Sequence, residues 1–133
     1  MKYISHGFNL PLDLRAYAPG EWIVLTEIIY TSLDGNRYTV PKGFITDLAS
    51  IPKMAQGIFS VDDESRMPAV LHDWLYCSKQ TTREQADALF REALKRAGCS
   101  TLHTLSMWSA VRVAGWAYWN KRSGITAEDF VQL

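Results

Sequence analysis

The sequence shows no excess of charge of either sign: fourteen Lys and Arg offset fourteen Asp and Glu across 133 residues, without any basic run. A nucleic-acid binder leaves an electrostatic footprint of clustered Lys and Arg, so nucleic acid is not an expected partner. Cysteine is scarce as well. The two present, Cys77 and Cys99, do not form a CxxC spacing, which argues against a zinc ribbon and leaves no disulfide framework; both are expected as free, buried thiols. No apolar stretch approaches the roughly 18 residues needed to span a bilayer. Met1-Lys2-Tyr3-Ile4-Ser5-His6-Gly7 also lacks the hydrophobic core of a signal peptide, so the expectation is a soluble chain without a transmembrane segment. Internal repeats, low-complexity tracts and linkers are missing too. What remains is 47% hydrophobic and 12% aromatic, enough to close one compact domain without metal or disulfide staples.

The order of local signals predicts an α+β fold, with residues 1–52 mainly β and 65–133 mainly α. Residues 22–31, Trp-Ile-Val-Leu-Thr-Glu-Ile-Ile-Tyr-Thr, are rich in β-branched and aromatic side chains, and Asp34-Gly35 before Arg37-Tyr38-Thr39-Val40 is a turn signal between two strands. A β-hairpin or small meander follows from this. Pro41-Lys42-Gly43 interrupts it, and Phe44-Ile45-Thr46-Asp47 reads as a further extended piece leading into a shaped loop, Leu48-Ala49-Ser50-Ile51-Pro52. A first helix is predicted from Ser65 or Arg66, with Pro68 in its first turn and a break over Cys77 to Gln80. Thr81-Thr82-Arg83-Glu84-Gln85 is a capping-box signature that starts a second helix, with Ala86, Leu89, Phe90, Ala93, Leu94 and Ala97 as its core stripe and Gly98 as its stop. The third helix, about Leu102 to Trp119, is apolar on most of its circumference and so is expected at the centre of the domain. Thr126-Ala127-Glu128-Asp129 caps a short final turn. The β-hairpin or meander is expected to pack on this three-helix half.

His72-Asp73-Trp74-Leu75-Tyr76 places an imidazole beside a carboxylate. Successive helical residues are about 100° apart, so Ala69, His72, Asp73 and Tyr76 are expected on one side, the polar trio facing a common space. Two helices joined by a loop of about four residues form an antiparallel hairpin. Its turn centres near Lys79 and Gln80, which puts His72 level with Asp87. A carboxylate accepting the imidazole N–H would set the tautomer of His72, as a general base or a metal ligand requires. Asp47, flanked by Ile45, Leu48, Ala49 and Ile51, needs partners of its own; it either joins this chemistry or caps the turn Leu48-Ala49-Ser50. Arg112, among Leu105, Trp108, Val113, Trp116 and Trp119, either stacks on indole or reaches Asp47, Asp73 or Asp87. The tryptophans read as core, with Trp119-Asn120-Lys121 as a candidate docking surface.

Gly43-Phe44-Ile45-Thr46-Asp47-Leu48-Ala49-Ser50-Ile51-Pro52, His72-Asp73-Trp74-Leu75-Tyr76, Ala86-Asp87-Ala88-Leu89-Phe90 and Val111-Arg112-Val113-Ala114-Gly115, in that order, resemble a phage and prophage family known as domain of unknown function 1353. The resemblance runs from about residue 20 to residue 120. It implies a bacteriophage origin and a small protein encoded among virion-structural or lysis genes, made in the host cytoplasm and available for incorporation into the virion. Asp47, His72, Asp73, Asp87 and Arg112 match that family's pattern. The His-Asp-x-x-Tyr run is also similar to the catalytic helix of phospholipase A2, which implies base, calcium, tyrosine and orienting roles for His72, Asp73, Tyr76 and Asp87. This chain departs from that family in having no cysteines beside His72 and no Gly-rich calcium loop.

Two readings of these residues stay open. In one, the chain is a hydrolase of a host-envelope component, peptidoglycan or lipid: His72, Asp87, Arg112 and Tyr76 are catalytic, and Asp73, Asp47 and His72 offer an oxygen-rich site to a divalent cation. No threefold His or Cys set stands near His72, so structural zinc is not expected. In the other, the chain is a non-catalytic tail or baseplate component, in which His72 and Asp87 satisfy each other, Asp73 caps or pairs with an arginine such as Arg66, and exposed aromatic and strand-edge surfaces dock onto other virion proteins. A small factor acting inside the infected host is a third reading. His6 and His103 have no acidic neighbours in sequence and are assigned no role.

Overall fold

A computed structural model of the chain describes residues 6–48 and 63–133. Among the described residues, five strands, β1 (Leu14–Ala18), β2 (Glu21–Val24), β3 (Ile28–Thr31), β4 (Arg37–Val40) and β5 (Ile45–Thr46), precede three helices, α1 (Asp63–Ser78), α2 (Arg83–Arg96) and α3 (Thr101–Lys121), and one 3-10 turn, Ala127–Asp129. The class is α+β, as the order of local signals implied. The residues expected to shape a loop from Ala49 to Pro52 lie outside the described residues, as do Met1 to Ser5.

The strands form two small antiparallel sheets, β1-β2-β5 and β3-β4. The continuous strand expected over residues 22–31 is two strands in different sheets, separated by Leu25-Thr26-Glu27. Pattern alone hides this switch, because the three-residue link preserves the alternation and Val24, Ile28 and Tyr30 are all buried. Strand β1 carries no strong signal of its own. It is an edge strand whose central residues are exposed, paired with β2 as Leu14 to Val24 and Ala16 to Trp22. The Asp34-Gly35 turn closes the β3-β4 hairpin as expected, with Ile28 opposite Val40 and Tyr30 opposite Tyr38. Gly35 supplies the positive φ, +90°, that the turn needs. Arg96 of α2 pins this hairpin down, donating to the carbonyl of Thr31 at 2.9 Å and to the Tyr30 hydroxyl at 3.0 Å.

Helix α1 begins earlier and ends later than the sequence suggested. Pro68 therefore stands in the second turn, where it forgoes the bond that an N–H would make to the carbonyl four residues back. The helix runs on to Ser78, and Lys79 leaves it in a left-handed conformation, φ +59°. Every residue from Met67 to Cys77 is buried, so α1, not α3, is the central helix. Helix α2 behaves as its sequence predicts: the Thr82–Gln85 capping box forms, and Ala86, Leu89, Phe90, Ala93 and Leu94 turn inward.

Helix α3 buries Thr104, Met107, Val111 and Gly115 while Leu102, Val113 and Trp116 stay exposed. Apolar residues all around a helix imply a central position only if the chain supplies elements for every side. Here α3 packs against α2 and α1 on one side and keeps an apolar outer side. The C-terminal segment returns to the strands, where Val131 N–H bonds the Gly43 carbonyl at 2.8 Å. There the Phe130 ring lies 6.1 Å from both Phe44 and Trp74.

Gly43 combines φ +91° with a backbone approach so close that a Cβ would sit 2.5 Å from the Val131 carbonyl oxygen, whereas Gly20, at φ +74°, has open space around it. Both glycine-to-alanine changes incur the left-handed penalty of about 1 kcal/mol. Gly43→Ala is expected to lose a further 1–2 kcal/mol or so in urea unfolding because the C-terminal segment at Val131 must move. Equal losses at the two positions would show that this docking contributes nothing.

Candidate functional site

The antiparallel hairpin of α1 and α2 brings His72 and Asp87 to the same level. His72 Nε2 lies 2.6 Å from Asp87 Oδ1, and both side chains have 0% exposure. One turn along α1, the Tyr76 hydroxyl donates to the same oxygen at 2.7 Å. Arg112 of α3 donates to Asp87 Oδ2 at 2.7 Å, and Arg83 of α2 adds a longer contact at 3.4 Å. Arg83 also donates to the Val111 carbonyl at 3.1 Å and the Arg112 carbonyl at 3.2 Å. Of the alternatives open to Arg112, the ion pair with Asp87 is the one formed. Gly115 makes room for the arrangement, since a Cβ there would meet the Tyr76 hydroxyl at 2.7 Å.

Burial alone would push the Asp87 carboxyl up, but hydrogen bonds from His72, Tyr76 and Arg112 hold it below its ordinary value and ionised. Burial lowers the His72 pKa against the opposing pull of Asp87, so the imidazole is neutral and its Nε2–H is the proton donated to the carboxylate. Burial and the bond to Asp87 push the Tyr76 phenol up, so it stays a donor. The His72 ring lies 4.3 Å from the Tyr76 ring and 4.6 Å from Phe90. Its Nδ1 is buried with no hydrogen-bond partner among the described residues.

Asp73 does not join this network, contrary to the expected common space for the polar trio. The 100° step from residue 72 to 73 turns it toward β5 and the last turns of α3. Thr46 Oγ1 and the Tyr118 hydroxyl each donate to it at 2.7 Å, and Cys77 Sγ lies 3.7 Å away. Burial, then the nearby Asp47 charge, pushes its pKa up to about 7. Burial and Asp73 together push the Cys77 thiol up to about 12. Both cysteines are free and buried. Asp47 is half-buried, and the Leu48 N–H is bonded by Thr46 Oγ1 at 3.1 Å. Ala49 and Ser50, the rest of the turn that Asp47 was expected to cap, lie outside the described residues. Asp47, Asp73 and His72 are thus not gathered around one point, and among the described residues no three His, Cys, Asp or Glu are grouped to hold a metal.

Of the two readings open to Trp119, core residue or part of a docking surface, the structure shows it engaged internally. It stands edge-on to Tyr76 at 5.1 Å, and Lys79 Nζ lies 3.4 Å from its ring centre. Sequence reasoning missed Arg83, Tyr118 and the bond from Thr46 to Asp73. Arg83 had a signal, the i, i+4 spacing to Asp87. Tyr118 and Thr46 had none, because both contacts depend on how elements far apart in sequence pack.

A model of the family described as protein of unknown function (DUF1353) matches residues 22–111. No curated protein and no solved structure matches the chain.

The two acids should separate in a pH titration of stability. An unfolded aspartate titrates near ~3.9, whereas native Asp73 keeps its proton to about 7. The native state therefore binds the extra proton between those limits, and this contribution to stability falls as pH rises from about 4 to about 7. The lowered pKa of His72 acts oppositely, costing stability as pH falls below the unfolded value of ~6.5. Asp73→Asn mimics the protonated acid and removes only the first effect. Its Tm is expected to gain on wild type across that window and level off above it; parallel Tm curves would refute a proton held on Asp73.

Proposed function

We propose, for a chain that belongs to the DUF1353 family, that it is a non-catalytic structural component of a phage particle, of the tail or baseplate. The carrying observation is that His72 and Asp87 meet at 2.6 Å with 0% exposure on both side chains. A general base must come within hydrogen-bond reach of the proton it removes, and this imidazole is enclosed by protein. The Asp87 carboxylate is also saturated, with two donors on each oxygen. Such a site holds three helices together. The exposed edge strand β1, with Tyr17 on its outer surface, supplies a docking surface. The phage setting is supported by the four ordered motifs and their resemblance, and the proposed partners are other virion proteins.

One observation favours a second reading, hydrolysis of a host-envelope lipid or peptidoglycan. His72 Nδ1 is buried without a partner among the described residues while Nε2 is locked on an ionised carboxylate, and a neutral imidazole so oriented carries its free lone pair on Nδ1. A purely structural histidine ordinarily satisfies both nitrogens. In this reading His72 is the base, Asp87 and Tyr76 orient it, Arg112 supplies positive charge, and Asp73 and Asp47 lie on the adjacent side of α1.

The readings separate on His72→Gln, whose amide keeps a donor for Asp87. Wild type and variant are compared on phospholipid vesicles and on purified peptidoglycan, with and without calcium, and purified particles are searched for the chain by mass spectrometry. The structural reading expects the chain in particles, no turnover above the variant's background, and a lowered Tm for the folded variant. Wild-type turnover that a folded His72→Gln loses would overturn it in favour of the hydrolase.

A further inference from the structure

The outer face of α3 is apolar, and among the described residues nothing covers it. Leu102 is 75% exposed, Val113 73%, Trp116 57% and Leu105 38%. At about 100° per residue these four and Ser109 fall within roughly 80° of one another, along about 21 Å of helix. Ser106 and Ala117 flank the stripe on one edge and Arg112 on the other, the Arg112 guanidinium being turned inward to Asp87, so no charge stands within the stripe. Its spacing is palindromic: from Ser109, the neighbours stand four residues away on each side, Leu105 and Val113, and then three further, Leu102 and Trp116.

We propose that this face pairs with the same face of a second copy of the chain, the two helices running antiparallel about a twofold axis beside Ser109. The palindrome makes the stripe complementary to itself under that symmetry, as an isologous interface requires. Leu105 of one copy meets Val113 of the other, Leu102 meets Trp116, and the small Ser109 residues cross at the axis, where close approach is needed. Like charges are not brought together. Arg112 falls opposite Ser106, and its guanidinium is already turned inward to Asp87 at 2.7 Å. The four large side chains leave on the order of 400 Å² open per copy, the size of the largest, often functional, patch on a monomer. Two such faces with their small flanking residues approach the roughly 1,000 Å² that a specific interface needs. This size fits a dimer that dissociates on dilution. The inference concerns a different face from the Asp87 network, so a monomeric wild type would leave the His72 comparison untouched.

Sedimentation equilibrium of the full chain over a micromolar-to-millimolar series tests it. The expected mass rises from 15.1 kDa toward twice that value, and Val113→Glu and Trp116→Glu, both at exposed positions, stay monomeric with unchanged circular dichroism. Ser109→Cys is expected to form an intermolecular disulfide under mild oxidation, because it meets its own copy at the axis and both native cysteines are buried. Leu102→Cys alone is expected not to, whereas Leu102→Cys combined with Trp116→Cys is. A wild type that remains monomeric throughout would overturn the proposal. So would a dimer insensitive to Val113→Glu, or one in which Leu102→Cys cross-links and Ser109→Cys does not.

Discussion

Burying an ionised carboxylate costs several kcal/mol unless hydrogen bonds and opposite charge replace the lost water, and the compensation for Asp87 organises the helical half of this chain. His72 and Tyr76 come from α1, Arg83 from α2 itself and Arg112 from α3, so one acid is the shared acceptor of three helices. Each donor constrains geometry elsewhere. The reach of His72 sets the level at which α1 and α2 pass one another, Gly115 leaves room for the Tyr76 hydroxyl, and Arg83 ties the side of this network to backbone carbonyls of α3.

Adjacent residues of α1 hold protons in opposite ways. His72 is buried, neutral and bonded to an acid that several donors keep ionised. Asp73 is equally buried but, among the described residues, receives two hydroxyls and the Cys77 thiol and faces the charge of Asp47, so it keeps its proton up to about pH 7. The difference lies in the surroundings, because desolvation acts on both acids and only Asp87 has guanidinium and imidazole partners. Helix α1 can be the centre of the domain despite its polar residues because His72 and Asp73 spend their hydrogen bonds on opposite neighbours, α2 on one side and β5 with α3 on the other.

Helix α3 shows how a sequence pattern can mislead about position while being right about structure. Its near-uniform apolarity predicted a central helix; the fold instead places α1 there and leaves α3 with one side packed and one bare. Apolar surface left open by the described residues along an element this long marks a contact site. The palindromic stripe about Ser109 names a second copy as the partner.

Residue types and spacings by themselves determined the α+β class, the Asp34-Gly35 hairpin, the capped helix with its inward stripe, and the pairing of His72 with Asp87, because each depends on chain-local geometry: turn dihedrals, caps, helical period and a short antiparallel connection. Arg83 was legible in the same way, as a spacing of four, though it was passed over. Only the tertiary structure decided which of three acids Arg112 would meet, that Asp73 would turn away from His72 toward Thr46 and Tyr118, that residues 22–31 would divide between two sheets, and which helix would be central. Those outcomes are set by the packing of elements distant in the chain, where several arrangements satisfy the same pattern and the choice among them rests on which one leaves the fewest buried polar groups unpaired.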